Sequence, residues 1–200
     1  KDKRYHQVLL AKNAVGYQNL IKLTSLGFVE GMYSKYPRID KELIEKYHEG
    51  LIATTCCIGA YVPQTILNNG EAAAETEFKW WFDMFGEDYF IELQRHSLKE
   101  QEIINQTLLK FAKKYNVPVI ATNDSHYTDQ DDANAHDILL CINTGEKQST
   151  PGFDDFANER HDGILLSSFV SSHNLRILID YFFHNNFKCA FVITLEKIFL

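Results

Sequence analysis

One short stretch, residues 117–127, constrains the fold of this chain most. It reads VPVIATNDSHY, so an apolar run from Val117 to Ala121 ends abruptly near Asp124 and His126. Strands that are apolar on both faces are typical of parallel sheets covered by helices, and chemistry in such sheets gathers just past the strands' carboxyl ends. Because residues i and i+2 of an extended segment point the same way, a carboxylate and an imidazole here could bind one cation. The pair therefore predicts a metal site.

Strand and helix patterns alternate along the chain up to about residue 142. Apolar runs predict four strands, at residues 5–11, 51–55, 89–93 and 117–121. Helical spacing and cap residues predict helices from Asn13, over 39–47, near Pro63, over 71–85, from a Ser97 cap, and over about 131–142. This alternation is typical of an α/β fold with a largely parallel sheet, and such units build a barrel as readily as an open sheet.

The composition narrows the functional classes. With 200 residues, 45% of them hydrophobic and 24% charged, the chain can form one domain, or one and a half, with a sizeable core. A formal net charge of −7 argues against a broad phosphate-binding surface, so if the protein meets nucleic acid, another part of it should make the contact. The four cysteines form no C-x-x-C pair, which favours the cytoplasm, and no apolar stretch is long enough for a membrane span.

The character of the chain changes after Gly145. Residues 146–163 are polar and predict a surface connection. Residues 164–200 are poor in charged side chains and show neither clear caps nor a clean period, so this tail is poorly defined. We therefore expect the α/β domain to lie within residues 1–145.

Other residue types that bind metals accompany the predicted strands. Cys57 follows the second strand much as Asp124 follows the fourth, and His6 lies inside the first. Glu92 and His96 are spaced at i and i+4 on or beyond the third strand. Since parallel strands bring their carboxyl ends together, such residues could line one rim. Each also has a simpler explanation: a core or rim histidine, a small buried thiol, or a carboxylate that caps the next helix.

Seven sequence blocks match a known family. Together they look like the amino-terminal PHP (polymerase and histidinol phosphatase) domain of the bacterial DNA polymerase III alpha subunit, over roughly residues 4–160. The blocks are HQVLLAKN (6–13), GYQNLIKLTS (16–25), PRID (37–40), GLIATTCCIG (50–59), IELQRH (91–96), ATNDSHY (121–127) and AHDILLCI (135–142). Any one block would be weak, but their density makes the resemblance specific.

The resemblance implies a particular fold and domain order. The family fold is a distorted TIM-like (β/α)7 barrel with a metal cluster at one rim. Residues 1–145 would be the C-terminal portion of this PHP domain, an incomplete barrel that lacks its first βα units. Residues 146–163 would be the polar connection toward the polymerase core, and 164–200 a divergent tail.

The resemblance also implies which residues bind metal. Carried over position by position, the retained ligands of a divalent metal, Zn or Mn, are His6, Cys57, Asp124 and His126. Cys57 is chosen over Cys56 because the family ligand directly precedes an aliphatic residue and a glycine, here Ile58 and Gly59. The other ligands of the family are expected upstream of Lys1. His96 and Glu92 are expected beside the ligands, where they would orient them.

Two functions from different classes follow from the resemblance. In the first, the parent is a replicative DNA-directed DNA polymerase whose PHP domain removes mismatched 3′ ends as a 3′–5′ exonuclease, through metals that activate a water molecule. In the second, the PHP domain only braces the polymerase and docks a proofreading subunit. DNA would be contacted through other domains, alongside other polymerase III holoenzyme subunits. The polymerase reaction itself would use Mg at a site outside this chain.

A free-standing phosphoesterase of the histidinol-phosphatase type fits less well, because the blocks near Gly16 and Ala135 are those of the alpha subunit.

The sequence departs from the family pattern in two places. Tyr61 stands where many relatives carry Glu, which puts a local role of that carboxylate in doubt. After Gly163 the family would continue with an aromatic Phe-Tyr-Phe-Lys-Thr type segment, whereas here Ile164-Leu-Leu-Ser-Ser-Phe-Val170 follows.

A frame shift or a truncated gene would explain the second departure. We expect translation of the coding DNA in its other frames, downstream of Gly163, to recover the aromatic continuation. If neither alternative frame encodes it, the hypothesis is rejected.

Overall fold

The computed structural model describes residues 4–34, 36–95, 98–122 and 127–149, and the backbone of 191–198. In chain order the strands and α-helices of these residues are β1 (Tyr5–Ala11), α1 (Ala14–Val29), α2 (Lys41–Tyr47), β2 (Leu51–Thr54), α3 (Tyr61–Asn69), α4 (Glu71–Phe85), β3 (Tyr89–Leu93), α5 (Lys99–Tyr115), β4 (Val119–Ala121), α6 (Ala133–Thr144) and β5 (Phe191–Ile198). The four strands predicted from the apolar runs are confirmed. The mixed α/β character of the chain is confirmed as well.

The strands form one sheet in the order β4-β3-β2-β1-β5. β2, β3 and β4 are parallel, whereas β1 is antiparallel to both of its neighbours. The expectation of a largely parallel sheet was therefore wrong for β1. Where β1 ends, the Lys12 N–H donates to the Gly50 carbonyl at 3.0 Å. The end of β1 thus meets the start of β2, and α1 and α2 form an excursion between the two.

The junction between β1, α1 and β2 is tightly packed. Asn13 is the N-cap of α1, and its side chain accepts from the Gly16 N–H at 2.9 Å. A Cβ placed on Gly16 would lie 1.8 Å from the Gly50 carbonyl oxygen, and Gly50 itself has a φ of +72°. Asn19 Nδ2 donates to the Glu49 carbonyl at 2.9 Å, so a second α1 residue holds the same turn. Two glycines are needed here because backbone meets backbone.

The helices α1 to α5 contribute to one core on a single face of the sheet. Because side chains alternate along a strand, Leu9 and Ile91 face this core, whereas Leu10 and Phe90 face the other way. On that second face the apolar cluster is small and consists of Leu10, Ile52, Phe90 and Ile120, with Val8 packed against them. The second face is the one on which the polar residues at the strand ends lie.

Aromatic side chains fill the centre of the main core. Phe78 of α4 is fully buried, and its ring centroid lies 5.3 Å from that of Tyr89 and 5.1 Å from that of Phe111. Trp81, one turn further along α4, is 1% exposed. Rings at these distances add attraction beyond their buried area, so α4 is firmly attached between β3 and α5.

The start of α5 differs from its prediction. The helix begins at Lys99 with Leu98 at the N-cap position, and the Leu98 side chain makes no capping hydrogen bond. The predicted cap, Ser97, lies outside the described residues. Glu100 and Glu102 in the first turn interact favourably with the positive end of the helix dipole instead.

Helix α6 packs least of all the described helices. None of its twelve residues is buried, and the apolar side chains of Ile138, Leu139 and Ile142 are exposed. Among the described residues, no helix combines the length and the apolar character needed to cross a bilayer.

The tail contributes one described element, β5. Its backbone pairs with β1 in antiparallel register, with Leu9 opposite Ile193 and Ala11 opposite Phe191. The described sheet therefore has β4 at one edge and β5 at the other. Barrel closure, the missing βα units and the domain limits at 145 and 163 stay predictions.

The glycine contact at the α1 junction gives a test of this packing. We expect Gly16→Ala to lower the free energy of unfolding by about 2–3 kcal/mol, because its Cβ would meet a carbonyl oxygen that cannot move without shifting β2. Chemical denaturation followed by circular dichroism measures the change.

Gly27→Ala in the same helix is the matched control. A Cβ there meets the flexible Ile39 side chain at 3.3 Å, and alanine favours the helix by about 1 kcal/mol, so we expect little loss. Equal destabilisation by the two substitutions would contradict the described junction.

Candidate metal centre

The direction of β1 brings His6 to the edge of the sheet where Cys57 lies. Since β1 is antiparallel to β2, its amino end lies beside the carboxyl end of β2. His6 Nδ1 is 3.3 Å from Cys57 Sγ, although the two residues are 51 positions apart in sequence. Two of the predicted metal ligands are therefore in direct contact.

The segment after β2 packs against His6. The backbone N–H of His6 donates to the Gly59 carbonyl at 3.1 Å, and the backbone N–H of Ala60 donates to the Cys57 carbonyl at 2.9 Å. A Cβ on Gly59 would lie 3.1 Å from His6 Nδ1, so the glycine lets the ring approach. Cys56, with a φ of +58°, makes the sharp turn out of β2.

The two donor atoms fit a single cation. In a tetrahedral zinc site, with Zn–S of about 2.3 Å and Zn–N of about 2.0 Å, sulfur and nitrogen lie about 3.5 Å apart. The observed 3.3 Å is close to that value. Cys57 is buried while His6 is exposed, so the pair lies at the surface end of the sheet.

The neighbouring cysteine has a different environment. Its hydrogen bond with the Cys57 thiol, followed by burial, raises the pKa of the Cys56 thiol well above its usual value. The sulfur that lies 3.3 Å from His6 Nδ1 is that of Cys57.

Glu92 of β3 is a buried carboxylate below this edge. One carboxylate oxygen, Oε2, accepts from Thr54 Oγ1 at 2.6 Å. The other, Oε1, accepts from Thr122 Oγ1 at 2.5 Å and from Gln94 Nε2 at 3.3 Å. Glu92 thus connects the last residue of β2 with the residue that follows β4.

The protonation of Glu92 is shifted by its surroundings. Burial raises the pKa of the Glu92 carboxyl, and this outweighs the hydrogen bonds from Thr122 and Thr54, which lower it. Electrostatic interaction with the nearby Cys57 side chain also raises the pKa of Glu92. A carboxyl in this position costs folding free energy when it is ionised.

The sequence reasoning missed Thr54 and Thr122. Thr54 is the last residue of β2, and Thr122 directly follows β4, so the sequences LIAT at 51–54 and VIAT at 119–122 match. The two strands flank β3 on either side. This repeated ending was a usable signal. It was overlooked because a threonine at a strand end is common in any sheet.

Asp124, His126 and His96 lie outside the described residues, and Thr122 is the last described residue before Asp124. Across the described part of the chain, no group of three or more His, Cys, Asp or Glu side chains is arranged to hold a metal ion. The described site is thus a His6–Cys57 contact with a hydrogen-bonded carboxylate beneath it.

Comparison with known proteins identifies the family. The family model described as the PHP domain matches residues 1–96. Residues 1–96 belong to the PHP domain family. The chain is also 51% identical over 145 residues to the DNA polymerase III subunit alpha of Borreliella burgdorferi, which covers 72% of this chain and 13% of the relative. It is 46% identical over 138 residues to that of Thermus aquaticus, which covers 69% of this chain and 11% of the relative.

A third relative gives the same picture. The DNA polymerase III subunit alpha of Deinococcus radiodurans is 44% identical over 140 residues, which covers 70% of this chain and 10% of the relative. The resemblance stated from the sequence blocks is confirmed. The chain spans only about a tenth to an eighth of the length of the curated relatives it matches.

The raised pKa of Glu92 predicts how stability changes with pH. The folded chain holds the proton of the Glu92 carboxyl more tightly than the unfolded chain does. In the unfolded chain a glutamate has a pKa of about 4.3. Its contribution to stability is fully present below that pH and is lost as pH rises through the higher folded pKa. We expect wild type to lose free energy of unfolding relative to Glu92→Gln over this window. Denaturation with chelator present, from acid to neutral pH, measures the difference.

Thr65→Val is a control for this measurement. Thr65 is a buried threonine whose hydroxyl donates to the Tyr61 carbonyl at 2.8 Å, and the substitution removes no titratable group. We expect its profile to run parallel to wild type. If the Glu92→Gln profile is parallel as well, the assigned direction of the pKa shift is wrong.

Proposed function

We propose that this chain is part of the PHP domain of a DNA polymerase III alpha subunit and contributes to its metal site. The proposed ligands of a divalent metal, Zn or Mn, are His6, Cys57, Asp124 and His126. The family's remaining ligands would come from residues upstream of Lys1. The relatives' names and the match to the PHP family support this proposal.

The observation that carries the proposal is the His6–Cys57 contact. An imidazole nitrogen and a sulfur 3.3 Å apart, at a sheet edge, provide the two kinds of donor that zinc prefers. β4 is parallel to β3 and β2, so its carboxyl end points to the same edge, and Asp124 follows it by three residues. This topology would bring the second ligand pair toward the first.

The chemistry of such a site is phosphodiester hydrolysis. A bound divalent metal would lower the pKa of a water molecule and polarise the phosphate. Of this chain's residues, Cys57 and His6 would fix the metal from the β1–β2 side. Asp124 and His126 would hold it from β4, and buried Glu92 would hold the strand ends in place.

The parent protein would carry the wider activity. We propose that it is a replicative DNA-directed DNA polymerase located in the cytoplasm, with the PHP domain removing mismatched 3′ ends. DNA and other subunits of the polymerase III holoenzyme would be its partners. Magnesium would serve the polymerase site, outside this chain.

A structural role is the second candidate, and the surface of α6 favours it. Ile138, Leu139 and Ile142 expose 43%, 52% and 73% of their surface, which suits a helix that packs against another domain or subunit. In this role the PHP domain would brace the polymerase and dock a proofreading subunit. The gene upstream of Lys1 discriminates between the two roles: an intact set of ligand residues favours catalysis, and their replacement by non-ligands favours bracing.

Cobalt titration tests the metal site. A Co²⁺–thiolate bond absorbs in the near ultraviolet, so the intensity of this absorption reports directly on Cys57. We expect the metal-free chain to bind Co²⁺ with a Kd above about 1 μM, because only part of the family's ligand set is present. We also expect no appreciable hydrolysis of a phosphodiester substrate.

The adjacent cysteines supply a matched pair of variants. Cys57→Ser should abolish the thiolate absorption, whereas Cys56→Ser should keep it, because the sulfur that lies 3.3 Å from His6 Nδ1 is that of Cys57. Asp124→Asn should weaken binding further. Tight stoichiometric binding of two or more Zn or Mn ions, or an absorption that depends on Cys56, would contradict the proposal.

A further inference from the structure

We infer that Glu92 is a positioning residue that holds the two ligand-bearing segments, one after β2 and one after β4, at a fixed separation. The inference rests on the proposed metal site, and it assigns a task to a side chain that would not itself bind the metal. Three hydrogen bonds of the carboxylate, together with the order of the strands, support this role.

The strand order makes Glu92 the link between the two segments. β3 lies between β2 and β4 in the described sheet. A contact that links the ends of β2 and β4 must therefore pass across β3. Oε2 of Glu92 accepts from Thr54, and Oε1 accepts from Thr122. The two oxygens of one rigid carboxylate thus fix the ends of two strands that do not pair with each other.

The link continues from the strands toward the proposed ligands. Thr54 Oγ1 also accepts from the Cys56 N–H at 3.0 Å, so it orients the peptide next to Cys57. On the other side, Thr122 lies two residues before Asp124. Each arm therefore ends within a residue or two of a proposed ligand.

The surroundings of Glu92 favour positioning over stabilisation. The same face of the sheet carries the apolar side chains of Ile52, Phe90 and Ile120, which an apolar residue would extend at lower desolvation cost. A carboxylate adds two acceptors with one fixed geometry. Glutamine replaces one of these two acceptors with a donor, so one threonine hydroxyl loses the oxygen to which it donates.

The full chain provides a test with four variants. Glu92→Gln removes one acceptor, Thr54→Val removes one arm, Thr54→Ser restores the hydroxyl, and Thr65→Val is a buried threonine change away from the site. Amide hydrogen exchange by mass spectrometry, with chelator present, reports on the segments around 55–60 and 121–127. Co²⁺ affinity and the thiolate absorption report on the metal.

We expect exchange in both segments to be faster by about tenfold in Glu92→Gln. Thr54→Val should speed exchange mainly in the segment after β2. Co²⁺ affinity should fall by about tenfold or more in both variants. Thr54→Ser should restore both readouts, and Thr65→Val should match wild type.

The outcomes separate the two proposals. Unchanged exchange, or faster exchange with unchanged Co²⁺ affinity, would reject a positioning role for Glu92. If wild type gives no Cys57-dependent absorption, the proposed metal site fails. In that case coordinated loosening of both segments in Glu92→Gln still supports the link between them, and its absence rejects it.

Discussion

The antiparallel pairing of β1 with β2 is the constraint on which the candidate site depends. In register, Leu9 lies opposite Ala53 and Ala11 opposite Leu51. This alignment places the amino end of β1, with His6, at the carboxyl end of β2. A shift of one residue would turn every side chain of β1, His6 included, to the opposite face of the sheet. The register of β1 against β2 therefore decides the 3.3 Å contact of His6 with Cys57.

The two faces of the sheet differ in what they contribute to the domain. One face packs against α1 to α5 through a large core centred on Phe78 and Trp81, and this face supplies most of the stability. The other face carries a small apolar cluster and ends in hydrogen-bonded polar groups around Glu92. Burying a carboxyl there opposes folding when it is ionised. The large core on the opposite face offsets that cost.

The match to the PHP family is the reason for treating the His6–Cys57 contact as part of a candidate metal site. A histidine beside a cysteine is by itself a common contact in a folded protein. The sequence match over residues 1–96, and the similarity to DNA polymerase III alpha subunits along about 70% of the chain, turn it into a candidate metal centre.

Strands, helices and the family were within reach of the sequence, because apolar periodicity and cap residues act over a few neighbouring positions. The run at 51–55 illustrates this, as does the helix predicted over 39–47, where Asp40 accepts from the Leu43 N–H as an N-cap does. The direction of β1 was missed, since it depends on pairing between residues far apart in sequence, such as Leu9 with Ala53. The roles of Thr54 and Thr122 were missed because a hydroxyl acquires a partner only when three strands align.

By itself, therefore, the sequence determined which segments become strands and helices, which residue types could bind a metal, and to which family the chain belongs. Only the tertiary structure decided that His6 reaches Cys57 from an antiparallel strand and that Glu92 joins β2 to β4. Local patterns encode conformation over a few residues. Contacts between residues 51 positions apart are decided by how the helices and strands pack around a common core.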